Sequence, residues 1–204
     1  MRIGVDFDNT IVSYDGVFHK VAVERGLIGR DVSTNKDSVR DYLRSVGKEN
    51  DWIELQGHVY GARMDVARPY KGVIEFFRRC VRNNVDVFIV SHKTRRPFAG
   101  EPHDLHAAAK GWLTEVGFFD PGVIGLDPDR VFFELTKQEK IKRIVQLGCT
   151  HFIDDLPEFL AEPGFSADTR RVLFDPTDAH LHHVPRVGSW REFTAVVFGE
   201  ADAA

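Results

Sequence analysis

Five short, continuous apolar runs, at residues 3–7, 85–91, 130–135, 151–154 and 171–174, restrict the fold of this chain more than any other feature. They are rich in Val, Ile and Phe and show little apolar–polar alternation, so each is expected to be a strand buried on both faces. Segments of helical period lie between the later runs. Val73, Phe76, Phe77 and Cys80 mark one, and Leu105, Ala109, Trp112, Leu113 and Val116 another. Ile141, Ile144 and Val145 mark a third. Strands alternating with amphipathic helices predict an α/β fold, a Rossmann-like parallel sheet with helices on both faces. The 204 residues suffice for one such domain and a modest insertion. Sheets of this kind bind ligands beyond the carboxyl ends of their strands. Asp6, Ser91 and Asp154 fall at such ends.

The alternation is interrupted after the first run. Residues 13–68 hold no strong strand and three helical patterns, around 18–25, 39–46 and 52–62, separated by Gly26, Gly29 and the polar stretch 33–37. The expected organisation is a core of residues 1–12 and 69–200 with a small helical cap, 13–68, inserted as a lid. At 43% hydrophobic and 28% charged, the chain reads as an ordinary soluble globular protein. A net charge of -4 supplies no broad basic field, which disfavours a nucleic-acid polymer as partner. No window is apolar enough to span a bilayer, and the first residues lack a signal-peptide core. Cys80 and Cys149 read as buried free thiols, which fits a cytoplasmic location.

The chemistry concentrates at the strand ends. Asp6 and Asp8 flank Phe7 where the first run stops, and the polar Asn9 and Thr10 turn the chain. A turn or helix cap accounts for Asp8 but leaves Asp6 uncompensated, and burying unpaired charge is costly. A pair of carboxylates at one small site can divide nucleophilic and acid–base work. The fourth run ends likewise, in Asp154 and Asp155, with Pro157 and Glu158 suited to the first turn of a helix. Asp6, the Asp8 carbonyl and Asp154, with Asp155 behind them, form an oxygen-donor set of the kind Mg²⁺ takes. Ser91 ends the second strand beside His92 and Lys93, where a hydroxyl can donate to a phosphate oxygen. Thr136 and Glu139 have capping-box spacing, so a helix is expected to start with Lys137 in its first turn. A cation there opposes the helix dipole unless it faces an anion, and Lys140, one turn on, is the alternative. Arg95 and Arg96, in the charged stretch 92–104, are candidates for a second anionic group on a substrate. His180, His182 and His183, with His103 and His106, raise the question of a zinc site; the 180–183 cluster lacks a companion Cys or a helical i, i+4 pair and reads as a polar surface loop. Trp190 and Phe193 are expected to anchor a final helix, and residues 199–204 to fray.

Together, DFDNT at 6–10, Ser91, Lys137 and the Asp154–Asp155 pair, in that order, resemble the four motifs of the haloacid dehalogenase superfamily of hydrolases. The resemblance implies a Rossmann-like core, Mg²⁺ and an aspartyl-phosphate intermediate. It makes Asp6 the nucleophile and Asp8 the acid that protonates the leaving group and then activates water. Ser91 and Lys137 would hold the phosphoryl group, with Thr10, His92, Lys93 and Arg95 as further phosphate or substrate contacts. A carboxylate at position 8 is similar to the phosphatases and sugar-phosphate mutases of the superfamily rather than its dehalogenases. The adjacent acids at 154–155 resemble the deoxyribonucleotidase-like branch, and the insertion resembles the superfamily's helical cap. The expectation is a Mg²⁺-dependent phosphatase acting on a small phosphorylated metabolite. A sugar-phosphate mutase or a non-catalytic phosphate-binding regulator is the alternative.

Overall fold

The computed structural model of the chain describes residues 1–182 and 185–199. Two compact units emerge, one of residues 1–12, 69–92 and 116–204, the other of residues 13–68 and 93–115. Helices α1 (Val17–Glu24), α2 (Lys36–Ser45), α3 (Glu49–Ala62), α4 (Val73–Arg82), α5 (Leu105–Val116), α6 (Lys137–Gln146), α7 (Pro157–Leu160) and α8 (Trp190–Phe198) run through them. None of these is long and apolar enough to cross a membrane.

The first unit is built on a six-stranded sheet of β1 (Arg2–Val5), β2 (Asp86–His92), β3 (Val131–Glu134), β4 (His151–Asp154), β5 (Arg170–Phe174) and β6 (Arg186–Val187). Its spatial order is β3-β2-β1-β4-β5-β6, and every neighbouring pair is parallel. The first five strands match the apolar runs to within two residues at each end. β6 has only two residues, too few to display a period. Consecutive strand residues point to opposite faces, so each strand feeds two cores. Val90, Phe152 and Leu173 pack with Ile141 and Ile144 of α6 and with Phe159 and Leu160 of α7. On the other face Phe174 meets Trp190, whose ring lies 5.0 Å from that of Phe76 in α4. Phe193 of α8 and Phe77 of α4 complete that aromatic layer. Both cysteines are buried and unpaired, and burial pushes each thiol up to about 12. They therefore stay protonated and inert.

The second unit closes around aromatic rings. Phe18 of α1 sits 5.3 Å from Trp52 and 5.6 Å from Tyr60, both on α3. α2 starts where Ser38 N donates to Asn35 Oδ1 at 2.7 Å, the side chain satisfying one of the helix's unpaired amides. Residues 93–115, which the sequence reading counts with the core, cluster instead with 13–68. The physical reason is a pair of glycines one turn apart on α3. A Cβ at Gly57 would stand 2.5 Å from Pro97 Cβ, and one at Gly61 2.5 Å from His103 Cβ. Only hydrogen at these positions lets the loop lie against the helix backbone. Trp112 of α5 adds an Nε1–H bond to the Ala67 carbonyl at 3.2 Å.

Candidate active site

The strand order makes β1 central, with chain order reversing between β1 and β4, the position where open α/β sheets form a crevice. The register pairs Val5 with both Ile89 and Ile153, so Asp6, Ser91 and Asp154 emerge together at the carboxyl edge. The Asp6 amide still donates to the Ile153 carbonyl at 3.0 Å, which holds the residue in line with the strand. Just beyond, Asn9 adopts a left-handed φ of 55° and Ile11 N donates to the Phe7 carbonyl. Asn tolerates that conformation better than most residues, so a tight turn follows the two carboxylates directly.

Lys140 brings a buried cation to the carboxylates of Asp6 and Asp154. Its Nζ donates to Asp6 Oδ1 and to Asp154 Oδ2, each at 2.6 Å, and is itself buried, 4.1 Å from the centre of the Phe159 ring. Asp6 Oδ1 also accepts from Ser91 Oγ at 2.8 Å. Asp154 Oδ1 accepts the Leu156 amide at 3.0 Å. Lys137, expected in this role with Lys140 as alternative, starts α6 but makes no ion pair among the described residues. The capping box itself is present, with Glu139 N donating to Thr136 Oγ1 at 3.1 Å. Helical side chains lean toward the amino end of their helix. A lysine one turn inside α6 can therefore reach back over the sheet edge, as Lys140 does.

The electrostatics are lopsided. Burial would push the Lys140 ammonium down, but Asp154 and Asp6 hold it above the usual lysine range, so it stays charged. Among the described residues, the Lys140 ammonium faces three carboxyl groups, Asp6, Asp154 and Asp155, whose oxygens lie within 4.8 Å of one another. Burial pushes the Asp154 carboxyl up to about 7, with Lys140 pulling it down and the Asp6 charge adding to the rise. Asp155 is driven well above the usual range by burial and by the charges of Asp154 and Asp6. This excess of crowded, all-oxygen donors fits a divalent cation such as Mg²⁺.

A stability prediction follows. An acid whose pKa is raised on folding keeps its proton in the native state after the unfolded chain has lost it. Its contribution to stability is then lost as pH rises from the ordinary carboxylate range through about 7. The lowered pKa values of His58, His92 and His151 act in the opposite sense over this range, so the effect is read against Asp155→Asn: between pH ~6 and pH ~8 the metal-free parent is expected to lose stability relative to that variant, and Mg²⁺ to narrow the gap. Asp155→Asn should raise the metal-free melting point at pH ~8, by about 2–4 °C per kcal/mol of repulsion relieved. A variant that melts lower than the parent under those conditions contradicts the charge reading.

Asp8 is partly exposed two residues from Asp6, and its side chain lies outside the three-carboxylate group. Thr10 is fully buried; its carbonyl accepts from Trp190 Nε1 at 3.0 Å, and its hydroxyl finds no partner among the described residues. That placement suits a residue shaping the turn rather than a phosphate contact. His92 Nε2 donates to the Leu135 carbonyl at 3.1 Å, and burial lowers the pKa of its imidazole. Lys93 and Arg95 belong to the second unit. The Lys93 ammonium lies 5.0 Å from the Tyr60 ring centre, and Arg95 pairs with Asp104 at 3.2 Å. His180 and His182 are exposed, and His183 and residues 200–204 lie outside the described residues.

No family model matches the chain. A Bacillus cereus protein named "Putative nucleotidase" is 22% identical over 204 residues, 97% of this chain and 98% of that protein. Among solved structures, a HAD-family hydrolase from Deinococcus radiodurans with bound phosphate and sodium is 18% identical, with a TM-score of 0.56. The alignment covers 99% of this chain and 95% of that one. A HAD-superfamily hydrolase from Ehrlichia chaffeensis is 12% identical over 98% of this chain and 97% of its own, with a TM-score of 0.54. The chain thus has the fold of the haloacid dehalogenase superfamily hydrolases.

Proposed function

We propose that this chain, on the haloacid dehalogenase fold, is a Mg²⁺-dependent phosphatase that cleaves small phosphate monoesters through an aspartyl-phosphate on Asp6. The observation that carries the reading is the Asp6–Lys140–Asp154 bridge at the central strand end, with a second carboxylate, Asp8, two residues on. A binding protein needs the cation and the oxygen donors; it has no need of an acid–base group at position 8.

In this mechanism Asp6 attacks phosphorus in line with the ester oxygen. Lys140 and the Ser91 hydroxyl hold the Asp6 carboxylate in place through the oxygen they share, leaving the other for attack. Asp8 gives its proton to the departing oxygen, then takes one from the water that opens the acyl phosphate. Asp6, Asp154 and Asp155, with the Asp8 carbonyl, would hold Mg²⁺, which supplies charge neutralisation of the phosphoryl oxygens when bound. Lys140 adds a fixed positive charge without reorganisation.

The resemblance of the adjacent acids at 154–155 and the name of the Bacillus cereus relative both favour nucleoside monophosphates as substrates. The reading places the protein in the cytoplasm, acting on a soluble metabolite. A panel of nucleoside monophosphates, sugar phosphates and polyol phosphates, assayed for phosphate release with Mg²⁺ and with a chelator, tests it. The expected result is release that requires Mg²⁺ and is fastest on the nucleotides. Turnover that persists under chelation, or none on any ester, overturns the proposal. A transfer to a second sugar hydroxyl without free phosphate would point to a mutase instead.

A further inference from the structure

The second unit carries a group of metal-type donors that the phosphatase reading does not use. His58 lies in the later turns of α3, and Glu101 and His103 lie on the segment that Gly57 and Gly61 allow against that helix. One donor atom from each of the three falls within 4.8 Å of the other two. A short turn sets the pair: His103 N donates to the Glu101 carbonyl at 2.8 Å across Pro102, whose fixed φ stiffens it. The imidazole and the carboxylate thus stand side by side.

We propose that His58, Glu101 and His103 form a binding site for a zinc-type divalent ion. Three observations support it. The first is the spacing, since His103 Nε2 and Glu101 Oε2 are 3.3 Å apart. Ligands about 2.0–2.2 Å from a tetrahedral zinc lie roughly 3.3–3.5 Å from each other. The second is an unmet demand: His103 Nε2 is a buried nitrogen with no hydrogen-bond partner among the described residues. At 3.3 Å the Glu101 oxygen is close but poorly aimed for a hydrogen bond, and a buried ring nitrogen left so is uncommon. The third is access. His58 and Glu101 line a cleft of about 370 Å³ with Arg25, Glu54 and Gly100, which leaves room for a water as fourth ligand. The alternative role, an ion pair between His103 and a Glu101 side chain that is 78% exposed, is worth little.

The donor chemistry sets the ion apart from that of Asp6, Asp154 and Asp155. Two imidazoles and one carboxylate suit Zn²⁺, Co²⁺ or Ni²⁺, whereas Mg²⁺ takes oxygen and keeps its waters. Bound there, the ion would tie the segment carrying Glu101 and His103 to α3. Its role is structural, a cross-link within the second unit.

The test is Zn²⁺ binding by the full chain in excess Mg²⁺, read by calorimetry, by thermal midpoint and by the visible spectrum of the Co²⁺ form. The expected result is one Zn²⁺ per chain, a raised thermal midpoint and a tetrahedral Co²⁺ band. Asp154→Asn should keep all three. His103→Gln and His58→Asn should each weaken binding at least tenfold and abolish the thermal shift. The zinc-free melting of each variant shows whether it folds, and two ligands on different segments allow one to stand in for the other. A wild-type chain that takes up no Zn²⁺ overturns the proposal outright. So does uptake that both folded histidine variants retain, or uptake that Asp154→Asn removes.

Discussion

Asp6→Asn is expected to lower phosphate release by at least about 10⁴-fold, to the background of the assay, while the protein stays folded. The amide keeps the shape of the side chain and an oxygen able to accept from Ser91 Oγ and Lys140 Nζ. Stability is expected to move by no more than about 1 kcal/mol, because the lost attraction to Lys140 is offset by relief of repulsion from Asp154 and Asp155. Rapid-quench labelling with a radioactive phosphate ester adds a direct readout. The parent should show an acid-stable, base-labile phosphoryl group on the protein, and Asp6→Asn none. Asp8→Asn should form that adduct from an ester with a good leaving group, which needs no proton, and release it slowly. Appreciable turnover by folded Asp6→Asn would remove the covalent mechanism.

Lys140→Met is expected to combine a large loss of activity with a large loss of stability. The substitution leaves Asp6 and Asp154 buried at 5% and 0% exposure with their shared counter-charge removed. Breaking such a buried pair from one side costs about 3–5 kcal/mol, and at about 2–4 °C per kcal/mol the melting point should fall by roughly 10 °C. Turnover should fall by about 10²–10³ on loss of one preorganised charge beside the transferring group. Mg²⁺ should restore part of the stability and little of the rate. Lys137→Met is the matched control, with a stability change within about 0.5 kcal/mol. Equal damage from the two substitutions would mean that the bridge is not what organises the site.

The contrast between those lysines shows what local pattern conveys. Thr136 and Glu139 announced the start of α6, because a capping box needs only neighbours in sequence. Which lysine meets the carboxylates depends on the path of α6 across the sheet, a long-range matter. Thr10 is a similar case: its hydroxyl follows two carboxylates in sequence, and only the fold shows it fully buried, with its carbonyl accepting from Trp190 Nε1. His103 is visible in sequence as a histidine, whereas its place beside His58, 45 positions away, is a matter of the fold. The signal that was present lies in Gly57 and Gly61, two glycines inside a helical pattern, where a close backbone approach is the usual reason.

Sequence alone determined the type and place of the long elements, since a continuous apolar run and a 3.6-residue period are properties of neighbouring residues. It also determined that two strands end in paired acids, a placement that burial forbids without a cation. Tertiary structure decided the rest. It decided that β1 is central and that Asp6, Ser91 and Asp154 share one edge, because strand order rests on pairings between residues about 85 and 150 positions apart. It decided that residues 93–115 close on α3, because two missing Cβ atoms matter only when another segment arrives. And it decided that Lys140 bridges the acids, because the reach of a side chain is fixed by where its helix lies.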